Sequence, residues 1–314
     1  MENIVVLDAA TIGTNEIFDS FKTLGNLRVF ATTSADERLP HIADATIIIT
    51  NKVIIDKSIF DACPNLKLIC LTATGMNNVD LEYAKTKNVV VKNVAGYSTE
   101  SVVQHTFAIL LALLQHTEYY AHYVSSKTYS NQQLFTHIGP GYMELNGRTW
   151  GIIGLGTIGR RVAEVATAFG CKVVYYSTSG NNHTSDYQEV TLEELLKTAD
   201  IVSIHSPLNA QTQGLIGLQQ LQMMKKTAYI VNVGRGGIIN EDALAQALQE
   251  NCISGAAIDV MQKEPLPISS PLLDEKIASK ILITPHVAWV SDKALDSLMQ
   301  LTYKNVETFI NNHK

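Results

Sequence analysis

Short, unbroken apolar runs punctuate the first third of the chain: Ile4–Leu7, Leu27–Phe30, Thr46–Ile49, Leu68–Leu71 and Val89–Val91. Each ends in polar or turn-forming residues, and helical spacing predicts helices at Ile55–Ala62 and Val79–Lys85. Continuous rather than alternating apolar strands predict a parallel sheet covered on both faces. A long apolar helix follows over Ser98–His116, with Ser98 or Thr99 as its cap. The stretch Tyr119–Met143 is rich in Tyr, Ser and Gln and shows no clear period. It is too long for an ordinary loop and too aromatic for a linker, so we expect an arm that packs on a second subunit. From Thr149 the alternation restarts with six strand-like runs: Trp150–Ile153, Lys172–Tyr176, Ile201–His205, Ala228–Val233, Gly255–Val260 and Ile281–Thr284. Helices are predicted between them at Ile158–Phe169, Leu192–Thr198, Leu218–Met223 and Glu241–Glu250. This order predicts a doubly wound parallel sheet. A last helix, Lys293–Asn311, carries apolar positions at helical spacing along one face.

Composition narrows the class. At roughly 150 residues per domain, 314 residues imply two domains. Apolar residues make up 46% and charged residues 17%, which excludes a disordered chain. The net charge is −6 and only six residues are arginine, so nucleic-acid binding has no electrostatic footprint. The longest apolar run, Phe107–Leu114, has eight residues against about 20 needed to span a bilayer. The opening strand is bounded by acids and does not read as a signal peptide. Cys63, Cys70, Cys171 and Cys252 lack CxxC or other metal-site spacing. We therefore expect buried reduced thiols, no metal and a cytoplasmic location.

Gly154-Leu155-Gly156-Thr157-Ile158-Gly159 follows one apolar run and opens a predicted helix. In that setting the first glycine permits the tight turn, and the second lets a pyrophosphate approach the backbone. The third lets helix and strand pack, while the helix N-terminus faces the phosphate charge. Dinucleotide binding is the expectation, with Arg160 and Arg161 as further phosphate contacts or exposed helix residues. An acid should end the next strand to bind the ribose hydroxyls. Ser177 stands there instead, followed by Thr178 and Ser179, and no acid occurs before Asp186. The missing carboxylate removes repulsion against a 2′-phosphate, but the nearest cation that could bind one is His183. NAD(H) and NADP(H) both stay open.

Three polar segments end the later strands, where ligands bind in an open α/β sheet. They contain Arg235 (Val231–Gly237), Glu264 (Asp259–Pro265) and His286 (Thr284–Trp289). Together they supply a cation, an acid and a titratable base. At this point the chain resembles the D-isomer-specific 2-hydroxyacid dehydrogenase family, and within it the glycerate dehydrogenases or hydroxypyruvate reductases. Ala73–Asp80 resembles the family's substrate loop, Asn93–Thr99 its hinge and Asn232–Asp242 its arginine motif.

The resemblance implies a Rossmann nucleotide domain over 99–286. It also implies a smaller flavodoxin-like α/β substrate domain over 1–98 and 287–314. It makes His286 the general acid in reduction and the base in oxidation, Glu264 its partner, and Arg235 the holder of the substrate carboxylate or carbonyl oxygen. Thr74, Gly75 and Met76 would bind the carboxylate, and Trp289 would shape the substrate pocket. Thr99, Ser177, Thr178, His205, Pro207, Thr212, Val233, Gly234 and Asp259 would line the cofactor site with the glycine turn, Arg235 and His286. A homodimer is implied as well.

The chemistry is consistent with that cast. Hydride arriving at a ketone carbon leaves charge on oxygen, and imidazolium is suited to protonate it near neutral pH. A nearby carboxylate favours the charged imidazole, and a planar guanidinium suits a carboxylate better than an ammonium does. The His286-Val287-Ala288-Trp289 pattern resembles glycerate dehydrogenases, and Glu264 departs from the glutamine of formate dehydrogenases. The expected reaction is reduction of a small 2-keto acid, foremost hydroxypyruvate, to a D-2-hydroxy acid. The alternatives are an NADPH-dependent glyoxylate or broad-range reductase and, more remotely, a dinucleotide-sensing binding protein.

Overall fold

A computed structural model describes residues 1–313 of the chain. They form two compact units, one of Met1–Ser98 with the stretch from Val290, the other of Thr99–Trp289. In the first unit, β1 (Glu2–Val6), β2 (Gly25–Val29), α1 (Arg38–Ile42), β3 (Ile47–Thr50), α2 (Lys57–Ala62), β4 (Leu68–Leu71), α3 (Leu81–Thr86) and β5 (Val90–Lys92) follow in order. The strands make a parallel sheet in the order β2-β1-β3-β4-β5. That is the flavodoxin-like order. All residues of β3 and β4 are buried, as their unbroken apolar runs require. Asp56 and Asp80 cap α2 and α3 by accepting the amides of Ser58 and Tyr83.

The second unit begins with α4 (Thr99–Leu114) and α5 (Thr117–Ser125), then β6 (Thr149–Ile153), α6 (Thr157–Ala168), β7 (Lys172–Tyr176) and β8 (Gln188–Glu189). It continues with α7 (Leu192–Thr198), β9 (Ile201–Ile204), α8 (Leu218–Met223), β10 (Tyr229–Asn232), α9 (Glu241–Gln249), β11 (Gly255–Ile258) and β12 (Ile281–Ile283). Its parallel sheet runs β12-β11-β10-β9-β6-β7-β8, so the strand order reverses between β6 and β9. This is a Rossmann sheet, and its switch point lies at the glycine turn after β6. Apolar clusters cover both faces of the sheet, and Trp150 donates its buried indole N–H to Ser203 Oγ at 2.8 Å. The last helix, α10 (Asp292–Asn312), belongs to the first unit and buries Ala294, Leu298, Thr302, Val306 and Phe309 along one stripe.

Four expectations need correction. The sheet of the second unit has a seventh strand, β8, which pairs with β7; its two residues are exposed and leave no apolar signal. The stretch Tyr119–Met143 is not wholly irregular, because α5 and a 3₁₀ turn at Tyr129–Asn131 occupy its first half. Neither element buries a residue, so neither shows hydrophobic periodicity. The chain leaves the second unit after Trp289 rather than after His286, since the buried Asp259 carboxylate holds the amides of Val287 and Ala288. Cys252 is half-buried, whereas the other three cysteines are buried. Among the described residues no helix is long and apolar enough to cross a membrane.

Candidate active site

The glycine turn shows three different reasons for glycine. Gly154 has φ of +93°, and a β-carbon there would stand 2.8 Å from the Ser206 amide nitrogen at the end of β9. A β-carbon on Gly159 would collide with the Gly154 carbonyl. Gly156 has nothing within 4 Å of its β-carbon position, so the space beside it is open. Gly156 is also the N-cap of α6 and offers no side chain to its first amides, whereas Thr191, Asn240 and Ser291 cap α7, α9 and α10. Those uncapped amides and the helix dipole favour an anion. A cavity of about 420 Å³ lies there, lined by Thr99, Gly156, Thr157, Arg160 and Asn182 among others.

Around the switch point, Ser177 Oγ, His205 Nδ1 and Ser206 Oγ are buried without a hydrogen-bond partner among the described residues. Leaving a buried polar group unpaired costs about 1–3 kcal/mol, and a polar ligand would relieve all three. Burial pushes the His205 imidazole down to about 3, so the ring is neutral. Its Nε2 lies 3.0 Å from Ser203 Oγ. With the open glycine and the uncapped helix, these orphaned groups fit a dinucleotide. Ser206 escaped the sequence reading although it follows His205 at a strand end, where the ligand rule for α/β sheets would have included it.

The two arginines of α6 are engaged elsewhere. Arg160 Nη2 donates to the His183 carbonyl at 3.1 Å, and Arg161 pairs with Glu100 and Glu164 at 3.1 and 2.8 Å. His183 is raised from its ordinary value by its hydrogen bond to Glu189 and then by the Gly180 carbonyl. Thr178 is half-buried beside Ser177. Thr212 Oγ1 donates to the Pro207 carbonyl at 2.6 Å and closes the turn after β9, and Val233 is buried in the core. A β-carbon on Gly234 would sit 3.1 Å from the Ser206 carbonyl, which ties the Arg235 loop to the end of β9.

Arg235, Glu264 and His286 lie beyond β10, β11 and β12, three neighbours in the sheet. The Arg235 guanidinium is half-buried, donates to the Gly234 carbonyl at 2.7 Å, and forms no ion pair among the described residues. Asn232 sets its loop by donating to the Arg235 carbonyl and accepting the Gly234 amide, at 3.0 and 3.1 Å. Glu264 Oε1 accepts the Met261 amide at 3.0 Å, while Oε2 stands 2.8 Å from His286 Nδ1. A carboxylate only accepts, so Nδ1 carries the proton and Nε2 is the nitrogen available for exchange. His286 itself has φ of +57°, a left-handed backbone that for a non-glycine residue costs of order 1–3 kcal/mol.

Asp259, expected near a cofactor, works on this loop. Its carboxylate is fully buried and accepts Thr284 Oγ1 at 2.6 Å and the amides of Val287 and Ala288, each at 2.9 Å. Burial raises its proton affinity, but these hydrogen bonds and that of His105 outweigh it and hold the carboxyl below its ordinary value. Trp289 is half-buried just beyond.

In the first unit, Thr74, Gly75 and Met76 form a loop after β4. Thr74 is pinned on both sides, its Oγ1 donating to the Val94 carbonyl at 3.0 Å and its carbonyl accepting Asn93 Nδ2 at 2.7 Å. The three amides of this loop have no acceptor among the described residues, so each can donate to an anion.

Residues 107–288 match the NAD binding domain of the D-isomer specific 2-hydroxyacid dehydrogenases. A hydroxypyruvate reductase of Blautia hydrogenotrophica is 32% identical over 98% of this chain and 96% of its own. A glycerate dehydrogenase of Methylorubrum extorquens is 33% identical over 89% of this chain and 87% of its own. The crystal structure of D-lactate dehydrogenase from Aquifex aeolicus, complexed with NAD and lactic acid, is 27% identical with a TM-score of 0.86. That likeness covers 99% of this chain and 97% of the other. The chain belongs to the D-isomer specific 2-hydroxyacid dehydrogenase family.

Proposed function

We propose that the protein reversibly reduces hydroxypyruvate to D-glycerate, with NADH or NADPH as the reductant. The observation that carries this reading is the hydrogen-bonded pair of His286 and Glu264 beside an arginine loop whose cation has no carboxylate partner among the described residues. The second unit binds the dinucleotide, through Gly154–Gly159, Thr99, Ser177, Thr178, His205, Pro207, Thr212, Val233 and Gly234. When bound, the nicotinamide supplies or accepts the hydride.

The chain's own groups do the rest. His286 donates a proton from Nε2 to the substrate oxygen as charge develops there, and takes it back in oxidation. Glu264 holds the ring by Nδ1 and so fixes its orientation and leaves Nε2 toward the substrate. Arg235 neutralises the substrate carboxylate or carbonyl oxygen with a planar fork, and the amides of Thr74, Gly75 and Met76 bind the carboxylate. Trp289 limits the substrate to a small side chain.

A second reading, an NADPH-dependent glyoxylate or broad-range 2-keto acid reductase, is favoured by Ser177, whose buried hydroxyl stands where a ribose-binding acid would repel a 2′-phosphate. Initial rates with NADH and NADPH against hydroxypyruvate, glyoxylate, pyruvate and bulkier 2-keto acids separate the two. Hydroxypyruvate should give the highest kcat/KM. A higher value for glyoxylate or a bulky acid replaces the substrate but leaves the proton-transfer reading standing. Absence of turnover with all of them, alongside tight dinucleotide binding, removes the enzyme reading in favour of a sensor.

The working form we propose is a homodimer. Leu134, Phe135 and Ile138 are 71%, 89% and 91% exposed in the segment after α5, and a second copy of this chain would cover them. A monomer in sedimentation at micromolar concentration would rule this out.

A further inference from the structure

His286 acts from a loop whose central residue has a left-handed backbone, and the two residues of α4 that grip this loop were not among the expected site residues. Ser101 and His105 stand one helical turn apart on the same face of α4. Ser101 Oγ donates to the Ala288 carbonyl at 2.7 Å. His105 Nε2 lies 3.0 Å from Thr284 Oγ1 and 3.3 Å from Asp259 Oδ1. Thr284 gives its only side-chain proton to Asp259, and Asp259 only accepts, so His105 Nε2 must be the donor to this pair. Thr284 and Ala288 flank His286, whose own amide donates to the Thr284 carbonyl at 3.0 Å. The helix is a firm base: its Val102, Val103, Thr106 and Phe107 are buried, and Phe107 packs on Trp150 with ring centroids 4.8 Å apart.

We infer that α4 positions the proton-transfer histidine, with Ser101 and His105 as a two-point clamp on the ends of its loop. Neither residue touches the reacting atoms; both act through His286. A loop with a left-handed residue at its centre has competing conformations that need no positive φ. The clamp, together with the Asp259 carboxylate, excludes them. The inference rests on the reading of His286 as the acid, and it adds the residues that hold the acid in place.

The test uses the full chain with Ser101→Ala, His105→Leu and the conservative His105→Gln, whose amide nitrogen can replace Nε2 as donor. Hydrogen exchange of the peptide spanning residues 284–289 should speed up in Ser101→Ala and His105→Leu and return toward wild type in His105→Gln. With hydroxypyruvate, kcat should fall about 10–100-fold in the first two while KM and dinucleotide binding hold, because small misplacements of a catalytic group act at that scale. In a His286→Ala background the same substitutions should cost nothing further, since they act through the missing ring. Unchanged exchange in the 284–289 peptide overturns the clamp, and so does an equal loss of turnover in both backgrounds. If His286→Ala alone keeps full turnover, the acid assignment fails while the exchange result still decides the clamp. Should His105→Leu fail to fold, Ser101→Ala carries the same readouts.

Discussion

Gly236 lies against the carbonyl group of Met261, so close that no β-carbon fits between them. The contact joins the loop that carries Arg235 to the turn that carries Glu264. Glu241, at the start of α9, secures the same turn by accepting the Gln262 amide at 2.5 Å. Gly236→Ala must push backbone against backbone, where no flexible side chain can yield. Overpacking of this kind typically costs about 1–3 kcal/mol, and the displacement falls on two proposed catalytic residues at once. We expect kcat/KM to fall by at least about 10-fold, with a smaller loss of thermal stability. Steady-state kinetics and a melting curve on one preparation check it, and wild-type kinetics would show that the two loops move independently.

Removal of the imidazole tests the acid directly. His286→Ala should lower turnover by about 10²–10⁴-fold, the usual contribution of positioned acid–base catalysis. NADH or NADPH binding should survive, because the glycine turn and the orphaned groups at Ser177, His205 and Ser206 lie on other loops of the sheet. A variant that turns over at the wild-type rate would remove His286 from the mechanism.

Arg235→Lys separates charge from geometry. A lysine keeps the positive charge but loses the planar fork, and it cannot reproduce the guanidinium bond to the Gly234 carbonyl. KM for the keto acid should rise and kcat should fall, whereas the affinity for the dinucleotide should change little. Kinetics indistinguishable from wild type would mean that the carboxylate is held elsewhere, with the amides of Thr74, Gly75 and Met76 the first candidates.

The glycine turn was legible in the sequence because its physics is local: a strand, three glycines and a helix within a few residues. The same holds for Arg235, Glu264 and His286, each of which ends or follows a strand whose apolar run is unbroken. Strand β8 was not legible, since two exposed residues at a sheet edge carry no pattern. Nor was α5, which buries nothing. The work of Ser101 and His105 was hidden for a different reason. Both sit in an apolar helix, and their partners Ala288, Thr284 and Asp259 come from the far end of the second unit's sequence. Asp259 illustrates the limit of reading one residue at a time. The family resemblance implied a place beside the cofactor, and its hydrogen bonds show a further task, holding the loop of His286.

Cofactor choice turns on the end of β7. Ser177 Oγ is buried there without a partner among the described residues, and the exposed His183 beyond it is already bound to Glu189 at 2.7 Å. Ser177→Asp would place a carboxylate where a ribose hydroxyl can donate to it and a 2′-phosphate would be repelled. The ratio of kcat/KM for NADH over NADPH should therefore rise. If the ratio stays the same, Ser177 does not face the ribose and the cofactor is selected by other residues.

Acid should loosen the loop of His286 only once the pH falls below the ordinary value of an aspartate. Asp259 is held below its ordinary value despite complete burial, because Thr284, His105 and two amides all donate to its charged form. A group whose folded value is depressed stabilises the fold above its unfolded value, about 3.9 for aspartate, and that contribution is lost as pH falls through the folded value. Wild-type stability should thus be insensitive to Asp259 near neutrality and should decline below about pH 4. Asp259→Asn removes the charge and presents an N–H₂ to groups that are themselves donors. Breaking a buried charged network of this kind costs about 3–5 kcal/mol at neutral pH. The gap between the two proteins should then narrow as the medium is acidified, since wild type loses what the variant never had. Melting temperatures of both, measured from about pH 7 to pH 3, check the sign, and a constant gap would mean that the Asp259 charge does not contribute to the hold on Val287 and Ala288.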